Sequence, residues 1–235
     1  MQTFGAVTLL LNLVGGFKVR NISDKKDAVN IIYKCALMYE RNLAEKCLIF
    51  VTDSNESTAD FEARFKRNNF KHLTGSAVAN IDPEVFYNRA LENRLQLNDI
   101  LLSSDGTSSR KLSVLPKLVC IHNTARMVGD YCGARVVVDK YAGTTASAMG
   151  FIAVNNIYIP ITALKENLSN IVKKTSRNRI VAIFTKSAND ALYTHITYRA
   201  HNVPLEYIAS RKHLTGKVDF NNLIFPDNWT LNQAF

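Results

Sequence analysis

The chain has 235 residues, of which 47% are hydrophobic and 21% charged, with a formal net charge of +9 and a pI near 9.4. That composition can bury a sizeable core and excludes a disordered chain, while the positive charge excludes nucleic-acid mimicry and points to a polyanionic partner. Four cysteines (Cys35, Cys47, Cys120, Cys132) show no CxxC spacing, which sets aside a zinc ribbon or a disulfide framework and suits a reducing compartment.

The elements follow in chain order. "FGAVTLLLNLVGG" (4–16) is apolar but has no positive leader and is interrupted by Asn12. It predicts a core helix turn or strand rather than a signal peptide or a membrane span, and hence a cytoplasmic protein. Residues 23–46 predict a long helix: Ser23 and Asp24 are N-cap candidates, and Val29, Ile32, Cys35, Ala36, Tyr39 and Leu43 recur at three- and four-residue intervals. "KCLIFVTD" (46–53) reads as a buried strand, and "NESTADFEARF" as a polar turn after it. Asp82 and Pro83 punctuate a second helix over 82–95. "SSDGTSSR" (103–110) reads as a loop, and a third helix follows, bent or restarted at Pro116.

The second half changes character. Segments 134–143, 148–162, 179–187 and 191–200 are β-branched and aromatic, with "VNNI" (154–157) and "SAND" (187–190) as hairpin turns. Residues 162–176 read as a helix-length insert, and the tail with Pro204, Pro226 and Trp229 as loop-rich. The pattern is α+β, with N-terminal helices packed on an antiparallel sheet formed mainly by the C-terminal half. No linker interrupts it, so a single domain over 1–235 is expected, with 201–235 as an extension.

Several chemistries are absent from the sequence. There is no phosphate-binding GxxxxGK[ST] loop, no GxGxxG, no HExxH, no GxSxG and no DxD or clustered carboxylates, so neither a cofactor nor a metal is expected. Nucleic-acid chemistry then narrows to metal-independent RNA cleavage or plain binding. Such cleavage needs an acid, a base and cations around the phosphate, roles suited to His, Lys and Arg. His122, in "VCIHNT", reads as structural, and His201 is uninformative. His195 lies in "YTHITYR", where strand alternation would put Tyr193, His195, Thr197 and Arg199 on one polar face within reach of Lys186. The same row also fits a solvated outer face. His72 follows Arg64, Lys66, Arg67 and Lys71, interleaved with Phe61, Phe65 and Phe70, as phosphate and base contacts require. The plainer alternative is core phenylalanines with cations facing water. The pentamer "KHLTG" occurs at 71–75 and again at 212–216, with no longer repeat around it, so His213 gains no support as a site residue.

"FKRNNFKHLTGS" (65–76) resembles a phage and mobile-element family, the fourth of the polyvalent-protein-associated, nuclease-like families grouped with the barnase–EndoU–colicin–RelE fold. Its "NF-x-HLTG" motif is matched by Asn69, Phe70, His72, Leu73, Thr74 and Gly75, and the order of elements is similar over about 25–200. The resemblance implies helices against an antiparallel sheet and a ribonuclease activity; joined to the missing metal-site motifs, it gives the reading of a toxin-like, metal-independent endoribonuclease. In it, His72, His195, Lys186 and Tyr193 would be catalytic, and Lys71, Thr74, Arg64, Lys66, Arg67 and Arg199 would contact nucleic acid, RNA before DNA. The alternative is a non-catalytic nucleic-acid- or nucleoprotein-binding protein, such as a counter-defence inhibitor of the anti-CRISPR type; a protein inhibitor or a host nucleoprotein is a further candidate partner.

Overall fold

The computed structural model describes residues 22, 24–76, 80–133, 137–227 and 229; the apolar segment 4–16 and Ser23 lie outside them. Helix α1 (Lys25–Asn42) starts where Asp24 accepts a hydrogen bond from the Lys26 N–H, and it buries Ala28, Ile31, Ile32, Cys35, Ala36, Met38 and Tyr39. Strand β1 (Lys46–Thr52) follows. The polar turn expected at "NESTADFEARF" is corrected in its second half, where β2 (Phe61–Phe65) buries Phe61, Ala63 and Phe65 on one side. Period-two alternation outweighs the two intervening charges, Glu62 and Arg64.

A 3₁₀ turn at 67–69 leads into the short α2 (Phe70–Thr74), which stops at Gly75 with φ of 65°. In α3 (Pro83–Leu91), the Asp82 carboxylate accepts from the N–H groups of Glu84 (2.8 Å) and Val85 (3.2 Å). α4 (Thr107–Leu118) begins inside the stretch expected to be loop and carries Pro116 internally, and α5 (Ile121–Thr124) continues from it.

Five strands and a short helix precede the last strand. They are β3 (Met127–Asp130), β4 (Lys140–Gly143), β5 (Ala148–Val154), β6 (Ile157–Leu164), α6 (Leu168–Ile171) and β7 (Asn178–Ser187), with β8 (His195–Arg199) closing the series. The β5–β6 hairpin turns at Asn155 and Asn156, both at positive φ (50° and 65°), the conformation a two-residue turn requires. The helix expected over 162–176 is corrected to the end of β6, one turn of α6 and a 3₁₀ turn at 174–176. The apolar spacing there serves packing under β4 rather than a continuous helix.

Among the described residues the strands run in the order β1-β2-β6-β5-β4-β3-β7-β8, and β1 also pairs with β7. Seven strands therefore close into a barrel, with β8 as an extra strand on β7. The expected sheet is corrected in two respects. It closes on itself through two strands from the N-terminal half, and one of its contacts, Ala63 opposite Tyr158, is parallel. Closure follows from the length of β7, which pairs with β3 through its first two residues and with β1 along the rest.

The barrel interior and helices α1, α3 and α4 share one core, in which Phe50, Phe61 and Phe151 form mutual ring contacts. Each such fully buried ring contributes about 1.5–3 kcal/mol. A second core lies outside the barrel, where Cys47, Ile49 and Phe184 are covered by Tyr193 and by Ile208, Leu214 and Val218 of the C-terminal segment. No helix among the described residues is long and apolar enough to cross a membrane.

Candidate active site

The structure distributes the ten expected site residues over separate places. His72 is exposed on α2, and partial burial, then Lys71 and Lys111, hold its pKa below the usual imidazole value. The rest of its motif is scaffold. Phe70 packs against Tyr39 and Tyr87, the Asn69 Oδ1 accepts from the Lys66 N–H (2.8 Å), and the Lys71 Nζ donates to the Ile81 carbonyl (2.7 Å). Thr74 is fully buried, donating to the Lys71 carbonyl (2.8 Å) and accepting from the Ser76 N–H (3.1 Å). Arg67 forms a two-point pair with Glu40 on α1 (2.6 and 3.2 Å), whereas the Lys66 side chain faces solvent. The three phenylalanines are core, as the plainer alternative had it.

The expected row Tyr193–His195–Thr197–Arg199 is split. A β-bulge at Ile183/Phe184 puts His195 opposite Thr185 but Arg199 opposite Ala182, so the two point to opposite faces of the strand. Tyr193 lies on the outer face, 1% exposed, with its hydroxyl donating to the Glu62 Oε2 (3.1 Å). Burial, then Glu62, pushes its pKa up. Lys186 stays on that outer face, donating to the Ala191 carbonyl (2.9 Å) with its Nζ 4.8 Å above the Tyr193 ring. Arg64 lies across β1 from it, both opposite Cys47, and the Arg64 Nε is buried without a partner.

His195 instead opens on a cleft the sequence did not disclose. A cavity of about 280 Å³ is lined by His195 and Thr185 from the two strands, His122 from α5, and Arg41 and Lys46 from the α1–β1 corner. The His122 carbonyl accepts from the Thr197 hydroxyl (2.6 Å), which pins α5 to β8. Lys46 donates to the Arg41 carbonyl (2.5 Å) and is half-buried, which lowers its pKa. Burial, then Lys46 and Arg41, depresses the His122 pKa to about 4, so the ring is neutral at pH 7. Two buried polar atoms of this wall, the His122 Nδ1 and the Thr185 Oγ1, have no hydrogen-bond partner, a cost characteristic of functional sites. An adjoining cavity of about 310 Å³ shares Asn123, Thr197 and Pro226 with the first and adds Arg126, Tyr198 and Arg199. No Asp or Glu lines either cavity among the described residues. A pair of histidines beside Lys46, Arg41 and Arg126 can hold a phosphate and move protons around it.

Compared with known protein families, residues 31–202 match the family described as phage-Barnase-EndoU-ColicinE5/D-RelE like nuclease4. The chain belongs to that family. No curated protein and no solved structure gives a significant match. The nuclease family implies a nucleic-acid substrate, and the matched stretch holds every protein group of the first cavity except the part made by Ile224, Phe225 and Pro226.

On the other face of the barrel, the nuclease-family core meets the C-terminal segment through paired charges. The His213 Nε2 lies 2.7 Å from the Asp60 Oδ2, and Arg211 lies 3.6 Å from the same oxygen. Asp60 also accepts from the Thr52 N–H (2.7 Å) and hydroxyl (2.9 Å), with its side chain 3% exposed. Glu62 receives Lys217 (2.5 Å) as well as Tyr193. Among the described residues no group of three or more His, Cys, Asp or Glu side chains is placed to hold a metal ion.

The sequence reads His122 as structural and gives His213 no support as a site residue; the structure places His122 in the wall of the first cavity and His213 against Asp60 on the other face. His122 lay beside Cys120 in an apolar helical run, and only its neighbours in space mark it out. His213 had its twin in the other pentamer and nothing local to explain it.

Proposed function

We propose that the chain is a metal-independent endoribonuclease whose acid and base are His195 and His122. One observation carries this reading: both histidines line one cavity with Lys46 and Arg41, and no carboxylate lines it among the described residues. His122 is neutral at pH 7 and accepts the proton of the ribose 2′-hydroxyl as the 2′-oxygen attacks phosphorus. His195 protonates the departing 5′-oxygen, so that the products are a 2′,3′-cyclic phosphate and a 5′-hydroxyl. Lys46, Arg41 and the neighbouring Arg126 stabilise the phosphorane charge. DNA lacks the attacking hydroxyl, so the same arrangement favours RNA. His72, Lys186 and Tyr193 stand outside this cleft and take no part in the step.

The test is cleavage of a labelled single-stranded RNA in EDTA, with product ends identified. The expected result is cyclic-phosphate ends, and a loss of about 10²- to 10⁴-fold in His195→Ala and in His122→Gln. RNA that is retained in a gel shift by the wild type but never cleaved would establish the non-catalytic binding protein instead.

A further inference from the structure

We propose that the 310 Å³ cavity is a nucleobase pocket, which makes the substrate single-stranded RNA with one base unstacked; this rests on the phosphate reading of the adjoining cleft. Its size is that of a small-ligand site. Because it shares Asn123, Thr197 and Pro226 with the cleft, a strand whose phosphate sits beside His195 presents its neighbouring base here.

The lining has the chemistry for that base. The Arg126 guanidinium lies 4.0 Å from the centroid of the Tyr198 ring, fixed by hydrogen bonds to the carbonyls of Asn123 (2.9 Å) and Ala125 (2.8 Å). A cation stacked on an aromatic ring is already in place before any ligand arrives. Trp229 adds a second large ring, tilted against Phe225 with centroids 5.9 Å apart. Aromatic faces and guanidinium planes are what unpaired bases stack on, while Asn123 and Thr197 offer donors and acceptors to a base edge. A base inside a duplex is stacked and paired, and cannot enter. The absence of any lining carboxylate, among the described residues, keeps the neighbouring phosphates free of repulsion. Arg126, Tyr198 and Arg199 belong to the family-matched stretch, but Pro226 and Trp229 lie beyond residue 202. The C-terminal segment therefore completes a pocket that the nuclease core leaves open.

Trp229 is the only tryptophan in the chain, so its fluorescence reports on this pocket alone. The probes are a 2′-O-methyl single strand, which cannot be cleaved, the same strand in a duplex, and the same backbone without bases. The single strand is expected to quench Trp229, and the duplex and abasic strand to bind roughly 10- to 100-fold more weakly, the range for one lost base stack. Trp229→Ala is expected to lower single-strand binding by a similar factor and leave abasic binding unchanged, with Trp229→Phe restoring most of it. Should Trp229→Ala fail to fold, Tyr198→Leu, which removes the other ring of the pocket and no charge, makes the same comparison. Equal binding of abasic and base-bearing strands overturns the pocket. Cleavage of RNA by the wild type is read separately: if it persists while the pocket fails, the nuclease reading stands, and if quenching occurs without cleavage, the pocket stands without it.

Discussion

The inner cleft and the outer face are two sides of the same strands, and they treat charge in opposite ways. On the outer face each carboxylate has taken its cations: Asp60 holds His213 and Arg211, and Glu62 holds Lys217 together with the Tyr193 hydroxyl. In the cleft, Arg41, Lys46, His122 and His195 gather with no lining carboxylate among the described residues, and two buried polar atoms go without partners. A histidine already matched to a buried carboxylate is a fastening, whereas histidines among unmatched cations leave room for an anion that the protein does not itself supply. The second KHLTG pentamer belongs to the first kind through His213, and the two copies share their backbone role. Leu73 and Leu214 are both fully buried, and Gly75 and Gly216 both take positive φ (65° and 76°), so the repeated sequence is a helix stop with a buried anchor. They differ in the histidine, which is exposed at His72 and joined to Asp60 at His213.

The comparison breaks most visibly in activity. His195→Ala should lower RNA cleavage by about 10²- to 10⁴-fold, while His72→Ala and His213→Ala, assayed well below their melting temperatures, should stay within about 3-fold of wild type. A collapse of activity in a folded His213→Ala protein would move the site to the outer face.

Stability sharpens the same contrast. Leu73→Ala and Leu214→Ala should each cost about 2–5 kcal/mol in urea denaturation, since both empty a fully buried position. A loss below about 1 kcal/mol at Leu214 would show that the outer fastening is not part of the cooperative fold.

Acid distinguishes the histidine kept neutral. The folded His122 pKa of about 4 lies below the unfolded value near 6.5, so between those pH values the unfolded chain takes up a proton that the native one refuses. Stability should therefore fall as pH drops from 6.5 to 4, by about 2–3 kcal/mol in total from this residue. His122→Gln should flatten that limb in denaturant titrations at stepped pH. An unchanged limb would mean the ring is not desolvated as described.

The smallest effect separates the two glycines. Gly216→Ala should cost about 1–2 kcal/mol, the strain of a left-handed backbone alone. Gly75→Ala should cost more, because its new Cβ would lie 2.5 Å from the Lys111 Cδ, while nothing lies within 4 Å at Gly216. Equal melting-temperature shifts in the pair would contradict that packing.

Much of the scaffold is written locally. The Asp24 and Asp82 caps, the Pro83 start and the Asn155–Asn156 turn each act within a few residues, so the sequence displays them. Strand β2 was harder, because two charges in five residues hide an alternation that only a partner strand makes meaningful. Residues 162–176 misled for the opposite reason, since Leu164, Leu168, Ile171 and Val172 fit a helical spacing but reach one shared cluster from the end of β6, from α6 and from the residue after it. At the candidate site, His195 stood out by its residue type and by the polar alternation of "YTHITYR". The bulge that parts it from Arg199 leaves no trace in composition, and His122, Lys46 and Arg41 meet it only once the barrel has closed.

Closure also has a consequence in time. The ring joins β1 to β7, and the Arg179 N–H reaches the Asp53 Oδ1 across 126 positions of chain. Contacts of such separation are slow to form. Lys46 is synthesised first, then His122, then Thr185 and His195, and Trp229 after all of them. A chain emerging from a ribosome therefore holds no complete cleft until β8 is free, and lacks the Trp229 wall of the adjoining cavity until later still. On the endoribonuclease reading proposed above, the order of the strands is a built-in delay.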